Sequence, residues 1–178
     1  SHPDIEKSAL KKLNLSPETI ATQVVARDRH AAYFSALAVL AGSIERFAVE
    51  IRLLMHGQIK EVFEPFSSKQ KGSSAMPHKK NPDVFELVRG KCNKIQALPY
   101  ELTLITNNLP SGYHRDLQLL KEGLIPAIQH TKACLEIVTS SLPKLVVKAD
   151  ILDDKLYDYL FSVEAVNELV QKGIPFRE

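Results

Sequence analysis

The sequence has few cysteines, no long hydrophobic run and almost no excess of one charge. Its two cysteines, Cys92 and Cys134, lie in apolar helical contexts without C-x-x-C spacing, which predicts buried, reduced thiols in a cytosolic protein rather than a disulfide. The apolar runs are too short and too interrupted to cross a bilayer, and no signal peptide is recognised. A formal net charge of +2 gives no reason to expect nucleic acid or a membrane as a partner.

The sequence also lacks the polar/apolar alternation of strands and any internal repeat. Apolar residues recur instead at spacings of three and four, which is typical of α-helices. At 178 residues with 44% apolar content, the chain is long enough to bury a core. We therefore predict an all-α fold built as a bundle of long helices. Residues 1–148 would form the bundle portion, and residues 149–178, with shorter amphipathic pieces, would begin a small C-terminal helical domain.

Three long helices are predicted. The first begins near Asp28 and runs for about 28 residues, or roughly 40 Å, with a seam that starts at Phe34. The second begins at residues 81–83, where Asn suits the N-cap and Pro the first helical position. Pro99 is expected to bend this helix.

A turn rich in Asn, Pro and Gly at residues 107–112 separates the second helix from the third. The third helix is predicted from about Arg115, with a kink at Pro126. Near the end of the chain, Gly173 is predicted to cap the last helix.

The predicted loop at residues 62–82 contains the segment KGSSAMPHKKNP, residues 71–82, which combines hydroxyls, lysines and prolines. Composition alone favours a solvated, lysine-rich linker between helices. A Walker-type phosphate cradle is excluded, because the segment lacks the second glycine and the Ser/Thr that follows the lysine. A third interpretation is an anion site that also carries out chemistry.

Five residues of the segment support the anion site. Gly72 would let consecutive backbone N–H groups near Ser73 and Ser74 point at one ligand. Lys79 would supply a point charge, and Asn81 lies where a helix N-terminus attracts carboxylates. A serine among such donors loses its proton more easily than a free hydroxyl, because the alkoxide is stabilised electrostatically.

Residues 72–82, GSSAMPHKKNP, resemble the signature G-S-S-x-M-P-x-K-x-N-P of the fumarase/aspartase superfamily, with a match at every fixed position. The resemblance implies that the long helices belong to that superfamily's central bundle, which associates as a homotetramer. It also implies an enzyme that releases fumarate by β-elimination.

The resemblance divides at this loop. Residues 18–82 look most like adenylosuccinate lyases, and residues 83–178 look most like argininosuccinate lyases. Both families act on N-substituted aspartates, which are small di- or tricarboxylates. The later segment carries the turn expected to set specificity, so argininosuccinate is the first substrate implied and adenylosuccinate is the alternative.

The resemblance also implies roles for the loop residues. Ser73, the first serine of the signature, would be the general base, and Ser74 would be its hydrogen-bonding neighbour. Lys79 and Asn81 would hold the substrate carboxylate and the charge that develops on it.

Outside the loop, the resemblance to argininosuccinate lyases implies that Tyr113, Gln118 and Lys121 contact the substrate. The resemblance to adenylosuccinate lyases implies the same for Gln23. For His30, in the run R-D-R-H, a structural role and a place near the substrate both remain open.

The resemblance implies no cofactor and no metal, and we see no cluster of metal ligands in the sequence. The general acid is expected on a segment that this chain lacks, so the chain alone is expected to be inactive. A different class of function also remains open, namely a helical oligomerisation module without catalysis.

Overall fold

The computed structural model describes residues 2–64, 76 and 80–176. Within these residues the chain is predominantly helical, as the apolar spacing predicts. Its α-helices are α1 (Pro3–Lys12), α2 (Asp28–Leu54), α3 (Asp83–Gln96), α4 (Leu98–Thr106), α5 (Leu120–Ser141) and α6 (Ser162–Gln171). Two-residue strands, β1 (Val62–Phe63) and β2 (Val146–Val147), form one antiparallel pair. Short 3₁₀ turns cover Arg115–Gln118, Leu142–Lys144, Ala149–Asp153 and Lys155–Tyr157.

The chain forms two compact units. The first unit comprises Ser1–Ala48 and Leu87–Ile137, and the second comprises Val49–Glu86 and Val138–Glu178. Each unit is therefore built from two separate stretches of the chain. The domain boundary expected between residues 148 and 149 stays a prediction.

The core of the first unit lies among α2, α3, α4 and α5. On α2, buried apolar residues recur every three or four positions, which confirms the seam expected from Phe34 onward. The buried apolar side chains of these four helices in this unit are Phe34, Leu37, Ala41, Ile44, Ala48, Val88, Cys92, Ile95, Leu98, Leu102, Leu120, Ala127 and Cys134.

The two cysteines belong to this core. Cys92 on α3 and Cys134 on α5 are both buried and free, as predicted. The pKa of Cys92 is raised to about 12, chiefly by burial and in part by the neighbouring Cys134 thiol and the charge of Glu45. A thiol that stays protonated is a poor nucleophile, so we assign Cys92 a packing role.

The second predicted helix is two helices. α3 ends at Gln96 and α4 begins at Leu98, with Pro99 in the first turn of α4. Proline has no N–H to donate and its ring crowds the preceding turn, so Pro99 fits a helix start better than a helix interior. The expected bend at Pro99 is thus a break two residues earlier, at Ala97.

Two predicted helix starts are displaced. The first hydrogen bond of α3 runs from the Glu86 N–H to the Pro82 carbonyl at 2.9 Å, so Pro82 rather than Asn81 occupies the N-cap position. The third long helix begins at Leu120 instead of Arg115, because the intervening residues form a 3₁₀ turn. Pro126 lies inside α5, where it removes one helical hydrogen bond.

The second unit contains the strand pair, with Val62 opposite Val147. The Lys148 N–H donates to the Glu61 carbonyl at 2.8 Å, which extends the pairing by one bond. The Tyr157 hydroxyl donates to the Glu61 carboxylate at 2.8 Å and links the strand to a later 3₁₀ turn. Strands of two residues are too short to show an alternation, which is why the sequence does not predict them.

Gly173 ends α6 as predicted. Its φ of 90° lies in the left-handed region that glycine adopts without strain. The Gly173 N–H donates to the Val170 carbonyl, and the Ile174 N–H donates to the Leu169 carbonyl. This pair of bonds is the Schellman motif, which satisfies carbonyls that the helix leaves open.

Candidate functional site

The residues predicted from the signature loop are only partly described. Ser73, Ser74 and Lys79 lie outside the described residues. Asn81 is partly buried in the second unit and lies two residues before α3. The roles of these four residues stay predictions.

In the first unit, three predicted contact residues form one hydrogen-bonded chain. The Gln118 Nε2 donates to the Tyr113 hydroxyl oxygen at 2.8 Å. The Lys121 Nζ donates to Gln118 Oε1, also at 2.8 Å. Both ends of the Gln118 amide are therefore occupied, which fixes its orientation and leaves the Tyr113 O–H and further Lys121 N–H groups able to donate elsewhere.

The turn that precedes Tyr113 sets the geometry of these hydrogen-bonded side chains. Asn108 and Gly112 have φ values of 61° and 113°, which reverse the backbone after α4. The His114 Nε2 donates to the Pro110 carbonyl at 3.0 Å and closes the turn. Leu117 is buried and anchors the following 3₁₀ turn in the core.

A cavity of about 240 Å³ lies within the first unit, beside the hydrogen-bonded side chains. Tyr113, Gln118 and Lys121 line it together with Arg27 and His30. The remaining wall is apolar and consists of Val24, Leu117, Leu120 and Leu124. The structure thus joins three residues predicted from the later part of the sequence to two from the R-D-R-H run.

Arg27 and His30 are in contact. The Arg27 Nη1 and the His30 Nε2 lie 3.3 Å apart. Burial lowers the pKa of His30 below its usual value, and the charge of Arg27 lowers it further. His30 is therefore neutral at pH 7, with Nε2 free of a proton so that it can accept the Arg27 hydrogen bond.

The polar wall of this cavity is cationic. Arg27 and Lys121 each carry a positive charge, and no Asp or Glu is among the described residues that line the cavity. The Tyr113 hydroxyl adds a neutral donor. Within the part of the chain that the structure describes, this arrangement suits an anion such as a carboxylate.

A second cavity of about 310 Å³ adjoins the first. It shares Val24, Arg27 and Leu117 with the smaller cavity and is lined otherwise by residues of the segment 20–26, by Thr106 at the end of α4 and by residues of the turn that follows. Gln23 is exposed and lines neither cavity, although its neighbours in the chain do. The structure does not bring Gln23 together with the other predicted residues, and its role stays a prediction.

In the second unit, Glu64 has a partly buried carboxyl group. Among the described residues, neither of its buried carboxylate oxygens has a well-aligned hydrogen-bond partner. The pKa of Glu64 is raised to about 6, chiefly by burial and in part by the charges of Asp83 and Glu86, while the Val84 amide opposes the rise.

We expect Glu64→Gln to stabilise the protein at pH 7.5 by about 1 kcal/mol, a figure reduced for solvent screening, and to leave stability at pH 4 unchanged. Since the pKa of Glu64 is higher in the folded chain, the folded state binds more protons between pH 4.5 and about 6. The free energy of unfolding therefore falls as pH rises through that window. Denaturant titrations across this range measure the slope, and the variant should lack this contribution.

The matched control for this prediction is Glu168→Gln, at an exposed position on α6 in the same unit. We expect that variant to keep the pH dependence of the unsubstituted protein. An equal change of slope in both variants would contradict the assignment to Glu64.

Among residues 2–64, 76 and 80–176, no group of three or more His, Cys, Asp or Glu side chains is placed to hold a metal ion. None of the described helices is both long and apolar enough to span a membrane.

Comparisons with known proteins give consistent results. A family model described as Lyase matches residues 1–97. The argininosuccinate lyase of Bacteroides fragilis is 50% identical over 143 residues, which cover 80% of this chain and 32% of that protein. The adenylosuccinate lyase of Thermotoga maritima is 54% identical over 182 aligned positions, which cover 99% of this chain and 42% of that protein. The chain thus spans less than half the length of these relatives.

Two solved structures share the fold. The 3-carboxy-cis,cis-muconate lactonizing enzyme of Pseudomonas putida matches with a TM-score of 0.73 and 24% identity, covering 96% of this chain and 38% of that one. A fumarate lyase:delta crystallin from Brucella melitensis matches with a TM-score of 0.73 and 17% identity, covering 95% and 39%. At these identities the likeness concerns the fold alone.

Proposed function

The chain belongs to the lyase family of the fumarase/aspartase superfamily, and we propose that it supplies part of the active site of a fumarate-releasing carbon–nitrogen lyase. The substrate is an N-substituted aspartate, and argininosuccinate is the first candidate. The observation that carries the proposal is the hydrogen-bonded chain of Tyr113, Gln118 and Lys121 on a cavity wall whose described residues include two cations and no carboxylate.

The reaction explains why such a wall is useful. Elimination removes a proton from the carbon beside a carboxylate, and the electron pair left behind spreads onto that carboxylate. The carbon–nitrogen bond then breaks, the nitrogen takes a proton from a general acid, and fumarate is formed. Cations and N–H donors fixed beside the carboxylate lower the barrier, because its charge grows in the transition state.

The signature loop has its proposed part in the same reaction. Ser73 takes the proton, and Ser74 donates a hydrogen bond to it as its hydroxyl becomes negative. Lys79 and Asn81 hold the substrate carboxylate, and Gln23 contacts the substrate. These roles rest on the match of residues 72–82 to the superfamily signature.

The substrate is tested by following fumarate absorbance with argininosuccinate and with adenylosuccinate in the assembled enzyme that contains this chain. We expect fumarate and arginine from the first and little turnover of the second. Fumarate from neither substrate would overturn the proposed function.

Adenylosuccinate is the second candidate, and a specific observation favours it. Among the described residues, neither the 240 Å³ nor the 310 Å³ cavity has a carboxylate in its lining, so the described walls offer no partner to the guanidinium of argininosuccinate. The larger cavity is mostly apolar and suits a flat purine, and Arg27 at its edge suits a phosphate. The match of the Thermotoga maritima adenylosuccinate lyase over 99% of the chain also supports this candidate.

The resemblance to the superfamily also supports a homotetramer formed through the helical bundle, located in the cytoplasm, without a cofactor. Size-exclusion chromatography with light scattering measures the assembly. A stable tetramer that turns over neither substrate would favour the oligomerisation module over the enzyme.

A further inference from the structure

Arg27 and His30 line the cationic cavity, and the proposed reaction uses Arg27 only as a positive charge on the wall and gives His30 no role. Both lie in the first unit, at the start of α2, and both are partly buried. They face the same space as Tyr113, Gln118 and Lys121.

The guanidinium of Arg27 lacks the partner that a partly buried cation usually has. Its Nη1 contacts His30, a neutral group, while its buried Nε has no hydrogen-bond acceptor in the described part of the chain. No described carboxylate lies within ion-pair distance of Arg27, although its neighbour Arg29 pairs with Glu18. A desolvated charge without a counter-ion is costly, and an anion that enters the cavity would remove that cost.

His30 is suited to orient this guanidinium. Its Nε2 accepts from Arg27, so the ring proton is on Nδ1, which is buried and has no partner among the described residues. A neutral ring fixes the Arg27 side chain without neutralising its charge, whereas a carboxylate at this position would neutralise it. A protonated ring would lose its acceptor and repel Arg27.

We propose that Arg27 is a further substrate-binding residue that pairs with an acidic group of the substrate, and that His30 is the positioning residue that holds its guanidinium. The proposal rests on the proposed function for the identity of the substrate. Arg27 and Lys121 would then hold the anion from two sides of the cavity. The guanidinium can bind a carboxylate or a phosphate through two parallel hydrogen bonds.

The first experiment compares Arg27→Met and Arg27→Lys in the assembled enzyme. We expect Arg27→Met to raise KM for the substrate about 20-fold and to lower kcat by less than about threefold, since the lost contact binds ground and transition states alike. Arg27→Lys should restore part of the affinity, because it keeps the charge but not the two-pronged geometry. Arg29→Met is the matched control and should keep KM within about twofold.

The second experiment tests the positioning role of His30. In His30→Gln the amide oxygen replaces the Nε2 acceptor, so KM should stay within about threefold of the unsubstituted value. In His30→Leu the acceptor is lost, and KM should rise about tenfold with little change in thermal stability. Equal KM values for the Gln and Leu variants would overturn the positioning role.

The pH profile gives a readout that a structural role would not affect. The pKa of His30 lies below its ordinary value, so kcat/KM should fall only at acidic pH, when the ring becomes protonated and Arg27 is released. His30→Gln should lack this acidic limb. The titratable or charged groups that line the cavities around His30 are Arg27, Arg29, Tyr33, Tyr113 and Lys121.

A binding measurement separates this inference from the proposed function. Calorimetry with fumarate itself should show affinity that Arg27→Met lowers about tenfold and Arg29→Met leaves unchanged. If the enzyme releases no fumarate but this pattern holds, the proposed function falls and the role of Arg27 stands. If fumarate binds the Arg27→Met variant as well as it binds the unsubstituted protein, the inference is wrong whatever the turnover.

Discussion

Ser73→Ala is expected to lower kcat for fumarate release by about a thousandfold, while KM changes by less than about threefold. The alanine side chain has no oxygen to take the proton, so the barrier to breaking the C–H bond rises. Substrate binding depends mainly on the cations of the cavity and should change little. Initial rates of fumarate absorbance over a range of substrate concentrations separate the two parameters.

Two further serine variants test whether the loss of activity is specific to Ser73. Ser74→Ala should cost about tenfold in kcat, because it removes one hydrogen bond to the base and not the base itself. Ser43→Ala is the control, since Ser43 is exposed on α2 and its hydroxyl only donates to the Val39 carbonyl of its own helix. Undiminished fumarate release by the Ser73 variant would refute Ser73 as the general base.

The long helices are predictable from the sequence where apolar periodicity decides the structure. The α2 seam at Phe34, Leu37, Ala41 and Ile44 is read directly from spacings of three and four and is buried as expected. The ends of the helices are less predictable. The apolar periodicity continues through residue 97. The helix is nevertheless interrupted there, because the ring of Pro99, two residues later, crowds the preceding turn.

The strands and the delayed start of α5 escape prediction for a different reason. The pairing of Val62 with Val147 depends on two segments that are far apart in the chain, and neither segment has a pattern of its own. The residues Arg115–Gln118 carry a helical pattern but form a 3₁₀ turn, because the turn before them fixes their backbone.

The candidate site is predictable only in part. The resemblance names Tyr113, Gln118 and Lys121, but their hydrogen-bonded chain depends on side-chain geometry that no motif records. Arg27 reads in the sequence as a polar residue at a helix start, and for His30 the sequence leaves a structural role and a place near the substrate both open. Their spacing of three is the sequence signal that could have identified them as a pair, because it places a cation and an imidazole next to each other on one helical face.

Lys121→Met is expected to lower kcat/KM about 100-fold, equivalent to about 2.7 kcal/mol of transition-state stabilisation. The substitution removes one of the two cations of the cavity and keeps most of the side-chain volume. It also frees Gln118 Oε1, which accepts from Lys121 at 2.8 Å, so the amide is no longer held against Tyr113. Steady-state kinetics of fumarate release, with circular dichroism to check folding, measure the loss.

A double-mutant cycle tests whether this loss passes through the hydrogen-bonded chain. If Lys121 acts partly by fixing Gln118, the combined Lys121→Met and Gln118→Leu variant should lose less activity than the product of the two single losses.

Lys132→Met, at an exposed position on the same helix, is the matched control and should change kcat/KM by less than about twofold. Strictly multiplicative losses would mean that Lys121 and Gln118 act independently, and activity retained by Lys121→Met would remove Lys121 from the site. Because Lys121 supplies one of the positive charges on the described part of the cavity wall, its charge and not only its hydrogen bond should matter, so Lys121→Gln should be nearly as damaging as Lys121→Met.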